Sequence, residues 1–345
     1  MLEVTTDSAA DYLRTHGFLP RETPAQCDLL AWGVSNVVLR ITPQSGRPFV
    51  IKQSREKLRT KADWFSRLDR IYREIAVMRL IHPLLPAGVV PQVLFEDRPN
   101  YLFGMEAAPA DHHVWKQILL EGRADRDIPA RLGIYLATIH RETALRPELA
   151  AEFGNHEVFV ELRVDPFYRR LAEACPKVSQ PIQKLIDEMF QTVVCLVHAD
   201  FSPKNVLIAG DQLILVDFET GHLGDPAFDL GFFLSHLLLK TVRHASRFHE
   251  FAELTNSFWE TYLAGVHGLP SKARFAPADI HRRTVGHLAG CMWARIDATS
   301  RVDYLDAPQQ EAVRTYCRSL FFEPPADWPA TIRRLYDILQ VHQLV

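Results

Sequence analysis

Two short stretches in the second half of the chain carry acidic and amide side chains at a spacing suited to phosphate chemistry. They are His-Ala-Asp-Phe-Ser-Pro-Lys-Asn at 198–205 and Leu-Val-Asp-Phe-Glu at 215–219. Phosphoryl transfer needs a carboxylate that orients and deprotonates a hydroxyl, which makes Asp200 the candidate catalytic residue. It also needs oxygen ligands that hold Mg²⁺ against the phosphates of ATP, and Asn205 and Asp217 are candidates for that role.

The segment between the two motifs predicts a β-hairpin. Two apolar runs, at 206–208 and 213–216, flank Ala-Gly-Asp-Gln at 209–212, and apolar runs around a Gly-Asp turn are typical of hairpins. Because a hairpin brings its ends together, we expect Asn205 and Asp217 to lie near each other. Either motif alone is commonly structural, as a buried polar pair or a strand exit, but the two in this order favour chemistry.

A lysine and a glutamate upstream supply further charges that phosphoryl transfer uses. Lys52 follows the apolar run 49–51, a predicted strand, and Glu74 lies within a predicted helix at 67–81. A Lys–Glu pair between strand and helix holds the ammonium where the α- and β-phosphates of ATP bind. The alternative is a solvated lysine and a surface glutamate, but the downstream motifs favour the pair.

Two other segments are candidate nucleotide contacts. Gly-Val-Ser-Asn at 33–36 separates two predicted strands, where loop N–H groups and side-chain donors can cover phosphate oxygens. One glycine is weaker support than a full Gly-x-Gly-x-x-Gly pattern. A connector at 106–110 offers a carbonyl and an amide to adenine, next to a methionine that lines the pocket or is simply core. The candidate cofactor-binding residues are Gly33, Ser35, Asn36, Lys52, Glu74, Met105, Glu106 and Ala108.

The composition excludes several classes of protein. The 345 residues are 47% hydrophobic and 23% charged, with a net charge of −3, which indicates a globular chain without a nucleic-acid or membrane surface. Five cysteines without CxxC spacing fit reduced thiols better than disulfides or a zinc site. The N-terminus lacks a secretory pattern, and the apolar run 230–239 is too short to span a bilayer. We expect a cytoplasmic protein.

The pattern of strands and helices divides the chain into two lobes. Residues 1–105 are rich in predicted strands and form a nucleotide-binding lobe, and 106–110 form a hinge. Residues 111–345 form a larger, mostly helical lobe with the catalytic loop and the acceptor-binding helices. This predicts an α+β fold with a small antiparallel sheet in the first lobe. Downstream, Asp225 or Asp229 is expected to cap a helix, with Asp229 alternatively bracing the catalytic loop through its backbone N–H groups.

Four segments together resemble the aminoglycoside phosphotransferase and choline kinase superfamily. They are HADFSPKNVLI at 198–208, LVDFETGHLGDPAFDLG at 215–231, FVIKQS at 49–54 and WGVSN at 32–36. The resemblance covers about residues 28–240, and Asp-Phe-Glu in place of Asp-Phe-Gly is typical of its small-molecule kinases. It implies a two-lobed, protein-kinase-like fold whose helical lobe binds the acceptor.

Within that superfamily, several segments are most similar to methylthioribose kinases. They are IKQSREKLRT, WFSRLDRIYRE, ADHHVWKQILLEG, VELRVDPFYRR and IHRRTVGHLAGC. The catalytic loop at 202–205 differs from that of methylthioribose kinases, so a neighbouring group with a different acceptor is expected.

The resemblance implies in-line transfer of the ATP γ-phosphoryl group to a substrate hydroxyl. Asp200 would orient the hydroxyl, and Lys52 would neutralise phosphate charge. Glu219 would be a further metal ligand or would hold metal-bound water. Lys204 would touch the γ-phosphate or would be a solvent-facing or structural lysine, and a general-base role for His198 is not expected.

Arg282 and Arg283 are the candidate acceptor contacts, because the planar guanidinium forks of arginine bind anionic or hydroxyl-rich groups. The alternative is one surface salt bridge and one solvated charge. Residues 241–345 carry twelve Lys and Arg against eleven Asp and Glu, which disfavours a polycationic aminoglycoside and favours a neutral or weakly charged, sugar-like acceptor such as methylthioribose. Choline needs an aromatic cage, for which the candidates are Trp115, Trp259, Trp293 and Tyr304. Ethanolamine and homoserine also stay open.

Two readings outside small-molecule catalysis are weaker. A protein kinase is disfavoured because no activation segment separates Asp217 from the Gly-Asp-Pro turn at 224–226. A nucleotide-binding pseudokinase would lack a catalytic group, whereas Lys52, Asp200, Asn205 and Asp217 are all present.

Overall fold

The computed structural model describes residues 3–30, 36–57 and 64–345. These residues form two compact units. The first comprises the described residues up to His112 together with Leu207–Thr220, and the second comprises His113–Val206 and Gly221–Val345.

The first unit is built on an antiparallel sheet. After α1 (Ala9–Thr15) come β1 (Ala25–Leu29), β2 (Asn36–Pro43) and β3 (Phe49–Ser54), and then α2 (Arg70–Ile81), β4 (Val93–Asp97) and β5 (Leu102–Glu106). The sheet order is β1-β2-β3-β5-β4. All six residues of β3 are buried, and because successive side chains point to opposite faces of a sheet, both faces are covered at this strand.

Lys52 and Glu74 both point inward for reasons visible in the local sequence. Lys52 lies in β3, in register with Val38 of β2 and Phe103 of β5. Glu74 lies on the buried face of α2 with Ile71, Ile75 and Met78, because residues three and four apart share one face of a helix.

The second unit begins with β6 (His113–Val114), α3 (Trp115–Leu120) and α4 (Asp127–Thr143). The short helices α5 (Ala150–Phe153) and α6 (Glu157–Phe159) follow. A π-helical segment, Val160–Arg169, then leads into α7 (Arg170–Ala174), α8 (Ser179–Gln191) and β7 (Cys195–Val197). Pro166 lies inside the π-helical segment, and its missing N–H prevents a regular α-helical turn there.

The predicted hairpin is present as β8 (Val206–Ala209) and β9 (Gln212–Leu215), joined through Gly210 at φ +56°. The sequence placed this segment with the helical lobe, whereas residues 207–220 belong to the sheet-containing unit. The Leu215 N–H donates to the Val89 carbonyl at 2.7 Å, a long-range bond that local patterning does not reveal.

The rest of the second unit is helical after the short strand β10 (His222–Gly224), which pairs antiparallel with β7. The helices are α9 (Pro226–Arg243), α10 (Phe248–Val266), α11 (Pro277–Asp297), α12 (Ala307–Phe322) and α13 (Trp328–Val341). Nearly every residue of α9 is buried, so this helix is the centre of the unit. The Asp225 carboxylate accepts from the Ala227 N–H at 2.9 Å and confirms Asp225 as the cap of α9.

The predicted fold class is confirmed: an antiparallel sheet forms one unit and helices dominate the other. Among the helices of the described ranges, none combines the length and hydropathy needed to cross a bilayer.

Close contact between α9 and α11 yields a stability prediction. A Cβ on Gly231 would lie 2.5 Å from the His287 Cβ and 2.6 Å from the Leu288 nitrogen. We expect Gly231→Ala to lower the free energy of unfolding by about 1–3 kcal/mol, because backbone on α11 cannot move away cheaply. Chemical denaturation measures it. The exposed helix residue Glu260 gives the control: Glu260→Ala should change stability by about 0.5 kcal/mol or less, and equal effects would contradict the packing argument.

Candidate active site

A buried ammonium lies at the centre of the first unit's polar cluster. The Lys52 Nζ is 2.7 Å from a Glu74 carboxylate oxygen and 2.6 Å from the Asp217 Oδ1. The side chains of Lys52 and Glu74 are 5% and 1% exposed, and that of Asp217 is 24% exposed. The predicted pairing of Lys52 with Glu74 is therefore present, and the second of the two motifs joins it through Asp217.

Glu219 is held by two side chains that are themselves buried. The Asn36 amide donates to the Glu219 Oε2 at 2.8 Å, and the Arg70 Nε donates to the same oxygen at 3.1 Å. Arg70 is fully buried and also donates to the Arg55 carbonyl at 2.7 Å. Arg70 is a site residue that sequence reasoning missed, because a basic residue in a charged helix usually faces solvent.

The charges in this cluster explain its pKa shifts. Burial disfavours the charged form of Lys52, but Asp217, Glu74 and Glu219 outweigh burial and hold the pKa of the ammonium above its ordinary value. Burial raises the pKa of Glu74 to about 7. The carboxylates of Asp217 and Glu219 also raise this pKa, whereas the Lys52 ammonium lowers it. Three carboxylates therefore face two cations, the Lys52 ammonium and the Arg70 guanidinium, and the remaining negative charge favours additional positive charge.

The same carboxylates fit a hard divalent cation. Oxygen atoms of Glu74, Asp217 and Glu219 all lie within 4.8 Å of one another, and carboxylate oxygens are the ligands that Mg²⁺ prefers. Asp217 has φ +72°, an unusual conformation for a residue other than glycine and one that is often found at functional sites. Asp217 and Glu219 were predicted as metal ligands, whereas Glu74 was predicted only as the partner of Lys52.

In the second unit, the Asp200 carboxylate is surrounded by donors. Arg163 Nη2 lies 2.7 Å from Oδ1 and Lys204 Nζ lies 2.8 Å from Oδ2. The Asn205 amide donates at 2.8 Å to Oδ2 and at 2.9 Å to the Asp200 carbonyl. Only Lys204 among these three partners is largely exposed. Asp200 is thus fixed in orientation, and Lys204 contacts it directly although the lysine side chain is largely exposed.

Asp229 holds the backbone that presents Asp200. Its two carboxylate oxygens accept from the N–H groups of His198 and Ala199, each at 2.7 Å. Ala199 has φ +59°, a strained conformation that surrounding bonds must maintain. This confirms the bracing alternative for Asp229, and His140 holds the carboxylate in turn at 3.2 Å.

Arg163 is a second contact that the sequence analysis did not assign. It lies in the π-helical segment, donates to the Ala199 carbonyl at 2.8 Å and is buried. Its signal in the sequence is a lone arginine between two apolar residues, Leu162 and Val164. A buried arginine is uncommon without a paired anion, so this pattern favours a partner such as Asp200.

The structure describes most of the other candidate nucleotide residues. Gly33 and Ser35 lie outside the described residues, and the side chain of Asn36 is engaged with Glu219 and Arg70. Met105 is buried in β5. Glu106 ends that strand, and the Ala108 carbonyl accepts from Arg40 Nη1 at 2.8 Å. A nucleotide contact for each of these residues stays a prediction.

Arg282 and Arg283 are both paired within the protein. Arg282 donates to the two carboxylate oxygens of Glu188 at 2.9 and 2.5 Å and lowers the pKa of Glu188 to about 2. Arg283 is buried and bonds to Asp225 and to the Arg274 carbonyl. These contacts tie α8, α9 and α11 together, and an acceptor contact for either arginine stays a prediction.

The four candidate cage aromatics have separate neighbours. Trp115 stacks on Phe233, Trp259 stacks on Trp328, Trp293 packs near Phe321, and Tyr304 lies beside the Lys240 ammonium. Trp115, Trp259 and Trp293 are also buried. Their packing is that of core side chains.

Asn205 belongs to the second unit and Asp217 to the first, and their proximity stays a prediction. Each unit nevertheless holds a complete local arrangement. The first carries a shared lysine with a carboxylate cluster suited to phosphates and a divalent cation. The second carries an oriented carboxylate suited to positioning a hydroxyl.

Comparison with known proteins agrees with this chemistry. The profile of the phosphotransferase enzyme family matches residues 27–275. The methylthioribose kinase of Pectobacterium carotovorum subsp. carotovorum (strain PC1) is 22% identical, covering 91% of this chain and 90% of the relative.

Solved structures share the fold at low sequence identity. A choline/ethanolamine kinase family protein from Mesorhizobium loti has a TM-score of 0.53 and 18% identity, with 96% of this chain and 99% of that chain covered. An amicoumacin kinase, solved with AMP-PNP, Ca²⁺ and its ligand Ami, has a TM-score of 0.52 and 16% identity, with 95% and 97% covered. The expected protein-kinase-like fold and the expected resemblance are confirmed. The chain belongs to the phosphotransferase enzyme family and is a small-molecule kinase.

Proposed function

We propose that this protein transfers the γ-phosphoryl group of ATP to a hydroxyl of a small, sugar-like metabolite. The observation that carries the proposal is the single ammonium of Lys52 shared by Glu74 and Asp217. An ammonium fixed in this way loses little freedom when phosphates arrive, so its charge is available to them.

The metal proposed for the site is Mg²⁺, held by Asn205 and Asp217, with Glu219 as a further ligand or as a holder of metal-bound water. The carboxylates around Lys52 supply the oxygen donors and the excess negative charge that such an ion prefers. Bound Mg²⁺ would neutralise charge that develops on the phosphate oxygens.

Asp200 is the proposed catalytic residue. Its carboxylate would orient the acceptor hydroxyl and accept its proton as the bond to phosphorus forms. Arg163, Lys204 and Asn205 hold that carboxylate in one orientation, which limits the motion that would otherwise misplace the hydroxyl. Lys204 is also near enough to Asp200 to approach the transferred phosphoryl group.

The adenine ring is proposed to contact the backbone of Glu106 and Ala108 beside Met105. Gly33, Ser35 and Asn36 are proposed to cover the phosphates with Lys52 and Glu74 behind them. Arg282 and Arg283 stay candidate acceptor contacts. A methylthioribose-type acceptor is favoured over aminoglycoside, choline, ethanolamine or homoserine by the 22% identical relative.

The metal role of Asp217 is tested by replacement with alanine. We expect Asp217→Ala to lose Mg²⁺-dependent ATP binding in calorimetric titration, because it removes the partly exposed carboxylate beside Lys52. Asp337→Ala, on the exposed face of α13, is the control and should bind as the wild type does. Titration with EDTA in place of Mg²⁺ separates metal-dependent from metal-independent affinity, and unchanged affinity in Asp217→Ala would remove it from the metal site.

The catalytic role of Asp200 is tested with an acceptor panel. The panel contains methylthioribose, other pentoses, choline, ethanolamine, homoserine and aminoglycosides, with ATP and Mg²⁺. We expect Asp200→Asn to lower kcat about 10²- to 10⁴-fold on the accepted substrate, because the amide cannot take the proton. Asp337→Asn should have no effect. Background turnover with every acceptor, or full activity in Asp200→Asn, would overturn the proposed reaction.

A further inference from the structure

Lys240 is a buried lysine for which the described residues supply no hydrogen bond or ion pair. It lies near the end of α9 and is 1% exposed. Its ammonium is 5.3 Å from the centre of the Tyr304 ring, and a ring face stabilises a cation only partly. Buried lysines are rare unless they are paired, so the missing partner calls for an explanation.

The neighbours of Lys240 are also incompletely satisfied. The Arg295 Nε on α11 and the Tyr304 hydroxyl are buried without a hydrogen-bond partner among the described residues. One terminal nitrogen of Arg295 donates to the Ser300 hydroxyl, so the side chain is fixed while its Nε stays free. Three donors from different parts of the second unit therefore lack an acceptor.

The charge around these donors is predominantly positive. Burial lowers the pKa of Lys240 well below its ordinary value, and Arg295 and Lys116 act in the same direction. Burial likewise lowers the pKa of Arg295, against the opposing effects of Tyr304, Asp200 and Asp303. The Asp303 carboxylate also opposes the lowered pKa of Lys116. We refer to Lys116, Lys240, Arg295 and Tyr304 as the cationic cluster.

One face of α9 connects this cluster to the candidate catalytic carboxylate. Phe232, His236 and Lys240 are spaced four residues apart and so share that face. The Arg163 guanidinium, which binds Asp200, lies 5.5 Å from the centre of the Phe232 ring. The Phe232 ring in turn contacts the His236 ring at 4.9 Å between centroids. The cluster is thus a neighbour of Asp200 within the same unit.

We propose that the cationic cluster binds an anionic group of the acceptor, so that the substrate is a hydroxyl compound carrying a carboxylate or phosphate. This proposal rests on the proposed phosphotransfer and revises its acceptor: a sugar-like compound that carries an anionic group takes the place of neutral methylthioribose. An anion would accept from Lys240, Arg295 and Tyr304 together and would supply the missing counter-charge. Cationic acceptors such as aminoglycosides or choline would be repelled by the same groups.

The test compares three pentose compounds that differ in charge: ribose, ribonate and ribose 5-phosphate. Binding to the full chain is measured by calorimetry without ATP, so that the result does not depend on catalysis. We expect at least one of the two anions to bind about 10-fold or more tightly than ribose, because charged hydrogen bonds are the stronger ones. Preference for ribonate identifies a carboxylate pocket, and preference for ribose 5-phosphate identifies a phosphate pocket.

Replacing a lysine with methionine, whose side chain has a similar length, shows whether the cationic cluster is responsible for the preference for anions. Lys240→Met should bring the ratio of anion to ribose affinity close to 1. Lys184→Met, an exposed lysine on α8, should keep the wild-type ratio. Equal binding of all three compounds by the wild type, or a preference that survives in Lys240→Met, would overturn the proposal.

Thermal unfolding provides a second readout that a folding defect cannot imitate. Methionine removes an unpaired buried charge, so Lys240→Met should raise the Tm of the ligand-free protein. A fall in Tm would mean that the ammonium is already satisfied inside the fold and would also overturn the proposal.

Failure of this inference is distinguishable from failure of the proposed reaction. If ribose is phosphorylated from ATP and no anion preference exists, the reaction stands and the cluster has no acceptor role. If anion binding depends on Lys240 but no compound is phosphorylated, the cluster is an anion-binding site and the proposed reaction is wrong.

Discussion

The arrangement of the first unit depends on one buried ammonium that is shared by carboxylates from distant parts of the chain. Lys52 comes from the central strand, Glu74 from the helix α2 and Asp217 from the segment after the hairpin. Removing charges from water is costly, and a buried pair is stabilising only when its geometry is good and further partners are present. Each member therefore constrains the element that carries it. The same constraint creates the local excess of negative charge that makes the cluster suited to a cation.

A comparable constraint operates in the second unit. The Asp229 carboxylate holds two consecutive N–H groups, and the residue between His198 and Asp200 has a positive φ. A strained backbone of this kind persists only when surrounding contacts determine it. Asp229 comes from the first turn of the buried helix α9, so the core of the unit fixes the orientation of the candidate catalytic loop. Arg163 then fixes the side chain of Asp200 from a different direction.

The sequence predicted those features that depend on local spacing. The hairpin, the strand with Lys52 and the buried face of α2 follow from alternation, turn residues and helical periodicity. The bracing role of Asp229 was one of two alternatives, which only the fold could separate. Arg70 and Arg163 were not predicted, because the sequence shows that an arginine is buried only when its distant partner is known. Lys240 was not predicted for a related reason: the burial of this lysine, like that of most of α9, depends on how other helices pack around it.

The first unit presents phosphate-handling groups. The second presents an oriented carboxylate and a buried lysine for which the described residues supply no ion pair. The proposed phosphotransferase activity accounts for each of these features. Its most direct test is ³¹P NMR of the wild-type protein with ATP, Mg²⁺ and the acceptor panel, extended with ribonate and ribose 5-phosphate. The account predicts a new phosphate monoester resonance that grows in step with ADP. Release of inorganic phosphate alone, or unchanged ATP with every acceptor, would contradict it.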